Sequence, residues 1–286
     1  MSERATVLRG SSRAYGGAAY EAMIQLVCEA AGLDLADPDH ARGILTEFMG
    51  DAKDADRITE RIGQVLGIEP GTGPPEDIHW AFRRFLEMLT SPRPLVVVLD
   101  DLHWADPALL DLVEEIAAAS RGAPLMIVCT ARGELLDRRA KWAGGAVNTI
   151  TLHLAPLPVG AVRRLVMHLL GGREIAAGVQ DYVADGSGGN PLFVQALVAM
   201  LRESQQLRLD EGQWRATTDL SGVRAPPNIR ALLGARLDQL GGPERGVIER
   251  AAVIGRQFTA RAIGELSPPE KRDALAAQLR SWSART

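Results

Sequence analysis

Two adjacent carboxylates, Asp100 and Asp101, directly follow a short run of apolar residues. The run, Leu95 to Leu99, includes three valines, and this pattern is typical of a strand buried on both faces in a parallel sheet. In open α/β sheets, ligands bind outside the carboxyl ends of such strands. Two acids at that place suit hydrated Mg²⁺ and a polarised water, because one carboxylate can hold the metal while the next takes a proton.

The same residues also have an explanation that needs no chemistry. Two aspartates after a strand form an ordinary turn, and Asp106 followed by Pro107 forms an ordinary helix start, with aspartate as the N-cap and proline at the first helical position. The acids alone therefore leave a functional and a structural interpretation open.

The longer segment around the acids, residues 96–110, reads VVVLDDLHWADPALL. It resembles the Walker B segment of the STAND group of AAA-like ATPases, which are modules of large LuxR-type transcriptional regulators and related bacterial signalling proteins. The resemblance implies that ATP and Mg²⁺ are the cofactors. It further implies that Asp100 holds Mg²⁺ through water and that Asp101 orients or deprotonates the attacking water. His103 belongs to the Leu-His-Trp signature of this segment rather than acting as a catalytic base.

Two other segments resemble the same family. Arg132 lies in a Thr-x-Arg sequence after an apolar strand, and the resemblance implies that its guanidinium, a permanently charged fork of donors, senses the γ-phosphate. The segment at residues 186–193, GSGGNPLF, resembles the glycine–proline segment after the ATPase core, which implies that Asn190 and Pro191 border the adenine. The alternatives are a surface arginine and a well-capped helix start.

A phosphate-binding loop is the motif that the sequence does not contain. Such a loop reads G-x-x-x-x-G-K-[ST], and its backbone amides and lysine hold the phosphates. The chain has three lysines, Lys53, Lys141 and Lys271, and none follows a glycine or precedes a serine or threonine. The resemblance therefore begins just after the family's phosphate loop, and we expect an N-terminally truncated ATPase whose nucleotide binding and hydrolysis are impaired or absent.

The pattern of elements predicts an α/β fold, an incomplete parallel sheet of the P-loop-NTPase type with flanking helices, followed by helical and winged-helix-like modules. We expect three modules: a truncated ATPase core at 1–156, a helical lid-type module at 157–225 and an incomplete winged-helix-like module at 226–286. The helical module should contain a hairpin that turns at Glu211–Gly212. The predicted strands span 5–9, 95–99, 124–130 and 148–154. The predicted helices span 20–31, 40–49, 54–66, 76–89, 107–119, 159–170, 174–185, 191–204, 227–240, 244–254 and 269–282.

Composition favours a cytoplasmic protein. No apolar segment has the length needed to cross a bilayer, the N-terminus does not resemble a secretory signal, and Cys28 and Cys129 are expected to be buried free thiols. The net charge is −4, which gives no overall attraction to nucleic acid. Acidic residues intersperse with the arginines of residues 226–266, so direct DNA binding is not expected. The five histidines show no metal-binding spacing.

These observations predict an ATP-binding regulatory ATPase module that acts in signal transduction or transcription control. The alternative is a non-catalytic protein-interaction module derived from such an ATPase. Its partners would be other protein domains or a second copy of the chain. If the family's central phosphate-loop strand is absent, the strand at 148–154 lacks a neighbour, which favours self-association.

Overall fold

The computed structural model describes most of the chain, and its internal contacts divide it into two units, 1–152 and 153–286. The module limits at 156 and 225 stay predictions. The described residues are 5–14, 17–91, 93–120, 122–142, 149–220, 226, 228, 231, 233–234, 237, 242–255 and 258–268.

A three-stranded parallel sheet forms the centre of the first unit. Strands β1 (Thr6–Ser11), β2 (Leu95–Asp100) and β3 (Leu125–Cys129) pair in the order β1-β2-β3. Leu95, Val97 and Leu99 on one face of β2 are almost completely buried, whereas Val96 and Val98 on the other face are partly exposed, so the predicted burial is complete on one face only. The predicted α/β class and parallel sheet are therefore confirmed, with β2 in the middle position.

Helices flank this sheet and share one apolar core with it, in which Phe82 and Phe85 are the largest fully buried side chains. Several helices begin with a proline in the first turn, where a missing N–H costs nothing. The helices are α1 (Glu21–Ala31), α2 (Pro38–Met49), α3 (Ala55–Leu66), α4 (Pro75–Leu89), α5 (Pro107–Ala119) and the short α6 (Glu134–Arg138); a 3₁₀ turn spans Leu102–Trp104.

The predicted strand at 148–154 is wrong for its described residues, 149–154, and Asn148 lies outside them. These residues form no regular element, and Ile150, Leu152 and Leu154 are 82%, 78% and 94% exposed. Alternating apolar residues make a segment able to form a strand, but a strand exists only where another strand pairs with its backbone. The burial predicted for Cys129 is also wrong, because this residue at the end of β3 is exposed.

The second unit contains helices and a small sheet. Helices α7 (Val159–Leu169), α8 (Ala177–Ser187) and α9 (Pro191–Glu203) pack around an apolar core. Strands β4 (Glu174–Ile175), β5 (Leu207–Asp210) and β6 (Gln213–Ala216) form a sheet of order β4-β6-β5. The predicted hairpin is confirmed: β5 and β6 are antiparallel, and Glu211 and Gly212 both have the positive φ that a tight two-residue turn requires.

Two further helices, α10 (Gly242–Ile254) and α11 (Ala260–Glu265), follow. Val247, Ala251 and Ile263 form a small apolar cluster between them. Most of the predicted helix at 227–240 and all of the one at 269–282 lie outside the described residues, so the winged-helix-like arrangement stays a prediction. Within the described part of the chain, no helix has the length and apolar character to span a membrane.

Candidate functional site

Asp100 occupies the last position of β2, where the carboxyl ends of the three parallel strands meet. Its carbonyl oxygen accepts a hydrogen bond from the N–H of Ser12, just after β1, at 3.0 Å. Its carboxylate oxygen Oδ1 accepts a hydrogen bond from the Thr130 hydroxyl, just after β3, at 2.9 Å. Neighbouring strands on both sides therefore hold Asp100, and no described residue donates a hydrogen bond to its other oxygen, Oδ2.

Asp101 follows with a left-handed backbone, φ 59° and ψ 37°, a conformation that aspartate tolerates better than most residues. Its N–H donates to the Thr130 hydroxyl oxygen at 3.2 Å, and its side chain is 44% exposed. The turn after β2 thus points the backbone of Asp101 toward β3 and leaves a carboxylate in contact with solvent.

Thr130 is a residue of the candidate site that sequence reasoning missed. One hydroxyl donates to Asp100 and accepts from the Asp101 N–H, while its carbonyl accepts from the N–H of Leu102 at 2.9 Å. The signal was present, because this threonine opens the same Thr-x-Arg sequence that singled out Arg132.

Arg132 lies at the same edge of the sheet, two residues beyond Thr130. Its Cζ is 5.6 Å from the centre of the Trp104 ring, within the range of a cation–π contact. Trp104 is 41% exposed, so both groups are accessible from solvent. The structure therefore brings Asp100, Asp101 and Arg132 to one edge, although their roles stay predictions.

His103 is buried beside this edge, with its side chain 4% exposed. Its ring centre is 4.4 Å from that of Trp104, and its Nδ1 is 3.8 Å from Asp101 Oδ1, too far for a hydrogen bond. Its carbonyl oxygen accepts from Arg138 Nη1 at 2.8 Å, and Arg138 Nη2 donates to the Ala105 carbonyl at 3.3 Å. The 3₁₀ turn after the acids is therefore fastened to α6.

Asp106 joins the segment after the acids to the first helix of the unit. Its Oδ1 accepts from the N–H groups of Ala108 and Leu109, which is the N-cap predicted from sequence. Its Oδ2 accepts from the N–H of Tyr20 at 3.1 Å. The end of the Walker B-like segment is thus tied to the start of α1.

A partly buried polar network continues from Tyr20. The Tyr20 hydroxyl is 3.1 Å from His79 Nε2, and His79 Nδ1 is 2.8 Å from Glu115 Oε2. Burial, and after it the nearby charges of Asp106, Asp111 and Glu115, raise the pKa of Tyr20. This network joins α1, α4 and α5 behind the acidic edge.

Asn190 and Pro191 belong to the second unit and begin α9. Asn190 Oδ1 accepts from the N–H groups of Leu192 and Phe193 at 3.0 and 3.2 Å, and Pro191 takes the first turn. Gly189 has φ 79°, and a Cβ atom there would lie 2.5 Å from the Leu157 carbonyl oxygen. The helix start is well made, as the structural interpretation predicts, and the adenine contact stays a prediction.

The donors at the edge fit a hydrated Mg²⁺ better than a cage made of protein ligands alone. Among the described residues, no group of three or more His, Cys, Asp or Glu side chains is arranged to hold a metal ion. Mg²⁺ takes oxygen ligands, keeps several waters and is commonly held by one or two carboxylates together with substrate phosphates. Asp100, with one oxygen fixed by Thr130 and the other without a described partner, suits that role.

Residues 2–128 match the family model described as the AAA ATPase domain. This range contains Asp100 and Asp101 but not Arg132, Asn190 or Pro191. The match supports an AAA-type ATPase module in the first half of the chain.

Two longer relatives each align with about 70% of this chain. The uncharacterized protein R02095 of Rhizobium meliloti (strain 1021) is 31% identical over 203 residues, which is 70% of this chain and 19% of that protein. The peroxide stress-activated histidine kinase mak3 of Schizosaccharomyces pombe is 22% identical over 208 residues, 70% of this chain and 9% of the kinase. The chain thus spans less than a fifth of the length of either relative.

Solved structures of the RuvB Holliday junction branch migration motor of Thermotoga maritima are among those that match. One covers 77% of this chain and 83% of RuvB at 16% identity, with a TM-score of 0.31. A point mutant of the same protein covers 84% of this chain and 80% of RuvB at 17% identity, with a TM-score of 0.32. Scores this low carry no argument about site or activity.

Proposed function

We propose that the first unit is a regulatory AAA-type ATPase module that keeps the acids of an Mg-ATP site but not its phosphate loop. The observation that carries the proposal is the pair of carboxylates at the end of the central parallel strand, of which the first is held by Thr130. The resemblance of residues 96–110 to Walker B segments of STAND-type regulators and the AAA ATPase domain match support it. A role in signal transduction or transcription control, in the cytoplasm, belongs to the same proposal.

Each residue in the proposal has one task. Asp100 holds Mg²⁺ through water, and the bound metal would supply charge neutralisation on the phosphates. Asp101, solvent-accessible beside it, orients the attacking water or accepts its proton. Arg132 contacts the γ-phosphate, for which it would exchange its contact with Trp104. Asn190 and Pro191 border the adenine.

We further propose that these 286 residues bind Mg-ATP weakly or not at all. The sequence contains no G-x-x-x-x-G-K-[ST] stretch, so nothing in it supplies the row of backbone amides and the lysine that hold a triphosphate. Carboxylates alone repel the phosphates and attract only the metal.

Thermal melting of the full chain with and without about 5 mM Mg-ATP tests the proposal. A ligand at one hundred times its dissociation constant stabilises the folded state by about 2.7 kcal/mol, which moves the midpoint by roughly 2–4 °C per kcal/mol. We expect a shift below about 1 °C. A shift of several degrees that Asp100→Asn abolishes would refute the proposal that nucleotide binding is impaired. A shift of several degrees that Asp100→Asn leaves unchanged would refute the assignment of Asp100 to the nucleotide site.

Fusing a strand, a G-x-x-x-x-G-K-[ST] loop and the helix that follows such a loop ahead of Thr6 tests the roles of the acids directly. If the fusion hydrolyses ATP, Asp101→Asn should lower turnover by about 10²–10⁴-fold, the usual contribution of a general base. Glu76→Gln, on the exposed start of α4, is the matched control for loss of a carboxylate. Unchanged turnover in Asp101→Asn would show that the base lies elsewhere.

A non-catalytic interaction module is the second candidate. The observation favouring it is the apolar segment 149–154, whose alternating side chains are almost fully exposed in the isolated chain. Such a segment can pair with a second copy of itself. Sedimentation at about 5 and 100 μM without nucleotide decides: a concentration-dependent dimer that Ile150→Ser with Leu152→Ser abolishes supports this function, and a monomer at both concentrations contradicts it.

A further inference from the structure

The two ring nitrogens of His103, Nδ1 and Nε2, are buried without hydrogen-bond partners among the described residues. The His103 side chain is 4% exposed. A buried imidazole with no partner is costly, because at least one of its nitrogens always carries a hydrogen. A hydrogen-bond acceptor close enough to reach one of the ring nitrogens is therefore needed.

Asp101 is the acceptor within reach. Its Oδ1 lies 3.8 Å from His103 Nδ1, about 1 Å longer than a charge-assisted hydrogen bond. The Asp101 backbone is fixed, since its N–H donates to Thr130 and the N–H of the next residue, Leu102, donates to the Thr130 carbonyl. Its side chain is 44% exposed, so solvent leaves room for a change of side-chain torsion that would shorten the distance without moving the main chain.

The imidazole itself has little freedom to move. Its ring lies against Trp104, with 4.4 Å between ring centres, and its own carbonyl is held by Arg138 at 2.8 Å. Trp104 in turn lies beneath the guanidinium of Arg132. The buried histidine is thus the fixed member of the pair, and the solvent-exposed carboxylate is the mobile one.

We propose that His103 is a positioning residue for Asp101. The neutral imidazole carries its hydrogen on Nδ1 and donates it to Asp101 Oδ1, which selects one side-chain rotamer and leaves Oδ2 to contact water. Nε2, which is buried and has no partner among the described residues, then carries no hydrogen. The value of a fixed Asp101 for catalysis rests on the proposed function, but the hydrogen bond itself does not.

The ring tautomer of His103 in the full chain is the first test. Nitrogen-15 NMR distinguishes a protonated Nδ1 from a protonated Nε2 in each histidine, and His103→Asn identifies the signal. We expect hydrogen on Nδ1 in the unmodified chain and in Asp101→Asn, which keeps an acceptor oxygen. Asp101→Gly, which suits the positive φ and removes the acceptor, should move the hydrogen to Nε2. Hydrogen on Nε2 in all three chains would overturn the proposal.

The rotamer of Asp101 is the second test, and it separates positioning from packing. Three-bond couplings about the Asp101 Cα–Cβ bond should report one dominant rotamer in the unmodified chain. His103→Phe fills the space without a donor, and His103→Gln places its amide at the position of Nε2; both should give averaged couplings. His103→Asn, whose amide nitrogen is attached at the same carbon position as Nδ1, should restore the single rotamer. Couplings that are equal in all four chains would refute the proposal.

Neither measurement uses nucleotide, so the two proposals fail separately. Unchanged turnover of Asp101→Asn in the phosphate-loop fusion would refute the catalytic assignment, while the tautomer and rotamer would still decide the role of His103.

Discussion

Replacement of Asp106 is the sharpest structural perturbation that the chain offers, because one carboxylate serves two elements. Its Oδ1 caps α5 through the N–H groups of Ala108 and Leu109, and its Oδ2 accepts from the N–H of Tyr20 at the start of α1. Tyr20 is 6% exposed and has φ 61°, so its N–H has little access to water and its backbone is already strained.

The expected magnitude follows from those two roles. Loss of an N-cap costs about 1 kcal/mol. Loss of the acceptor for a buried N–H costs about 1–3 kcal/mol. Asp106→Ala should therefore lower the free energy of unfolding by about 2–4 kcal/mol. Asp106→Asn should cost about 1–3 kcal/mol, because its Oδ1 still caps α5 while an amide donor faces the Tyr20 N–H.

Asp37 provides a matched control. It caps α2 through one hydrogen bond from the His40 N–H at 3.2 Å, on an exposed surface, and within the described part of the chain its side chain bonds to no second element. Asp37→Ala should cost only about 0.5–1 kcal/mol.

Urea unfolding together with hydrogen exchange measures both the size and the place of the effect. Because the two units have separate apolar cores, the loss of protection is followed in peptides covering 18–31 and 107–119. Asp106→Ala should release both helix starts, and Asp106→Asn mainly that of α1. If Asp106→Ala costs no more than Asp37→Ala and the exchange of α1 is unchanged, the contact with Tyr20 contributes nothing and the reasoning is wrong.

Three further outcomes are expected. Gly10→Ala should lower the free energy of unfolding by about 1–3 kcal/mol, because the new Cβ would lie 2.3 Å from the Ala22 carbonyl oxygen. Gly43→Ala, which adds a Cβ in open space within α2, should raise it by about 0.5–1 kcal/mol. Urea midpoints check both. Because burial raises the pKa of Tyr20, stability should be full below about pH 10 and fall as the pH rises further, more steeply than in Tyr20→Phe. Thr130→Val should lower the free energy of unfolding by about 0.5–1 kcal/mol, because the hydrogen bond it removes lies at an exposed site, and Thr130→Ser should leave it unchanged; urea unfolding measures both.

Short sequence patterns correctly predicted the elements whose structure depends on their own residues. The apolar run before Asp100 specifies a buried strand whatever lies beside it, and Asp106–Pro107 specifies a helix start from its own backbone groups. The turn at Glu211–Gly212 was predictable for the same reason, since a two-residue turn depends on residues that accept positive φ.

The sequence did not predict the features that depend on a strand or residue far away in the chain. The alternating residues of 149–154 show only that a strand could form, and no described strand pairs with them. The double role of Thr130 exists because β3 lies next to β2, a fact of pairing rather than of spacing. The Tyr20–His79–Glu115 network joins three helices far apart in the chain, so no short window of sequence contains it.

The strand order also predicts which strand pair forms first during folding. Leu95 pairs with Leu125 on one side and with Thr6 on the other, so the two pairings close loops of about 30 and about 90 residues. The longer loop costs roughly 1 kcal/mol more in chain entropy, by the logarithmic dependence on loop length. The β2–β3 pair is therefore expected to form first, and the acids reach their final places beside Ser12 only when the N-terminal strand joins it.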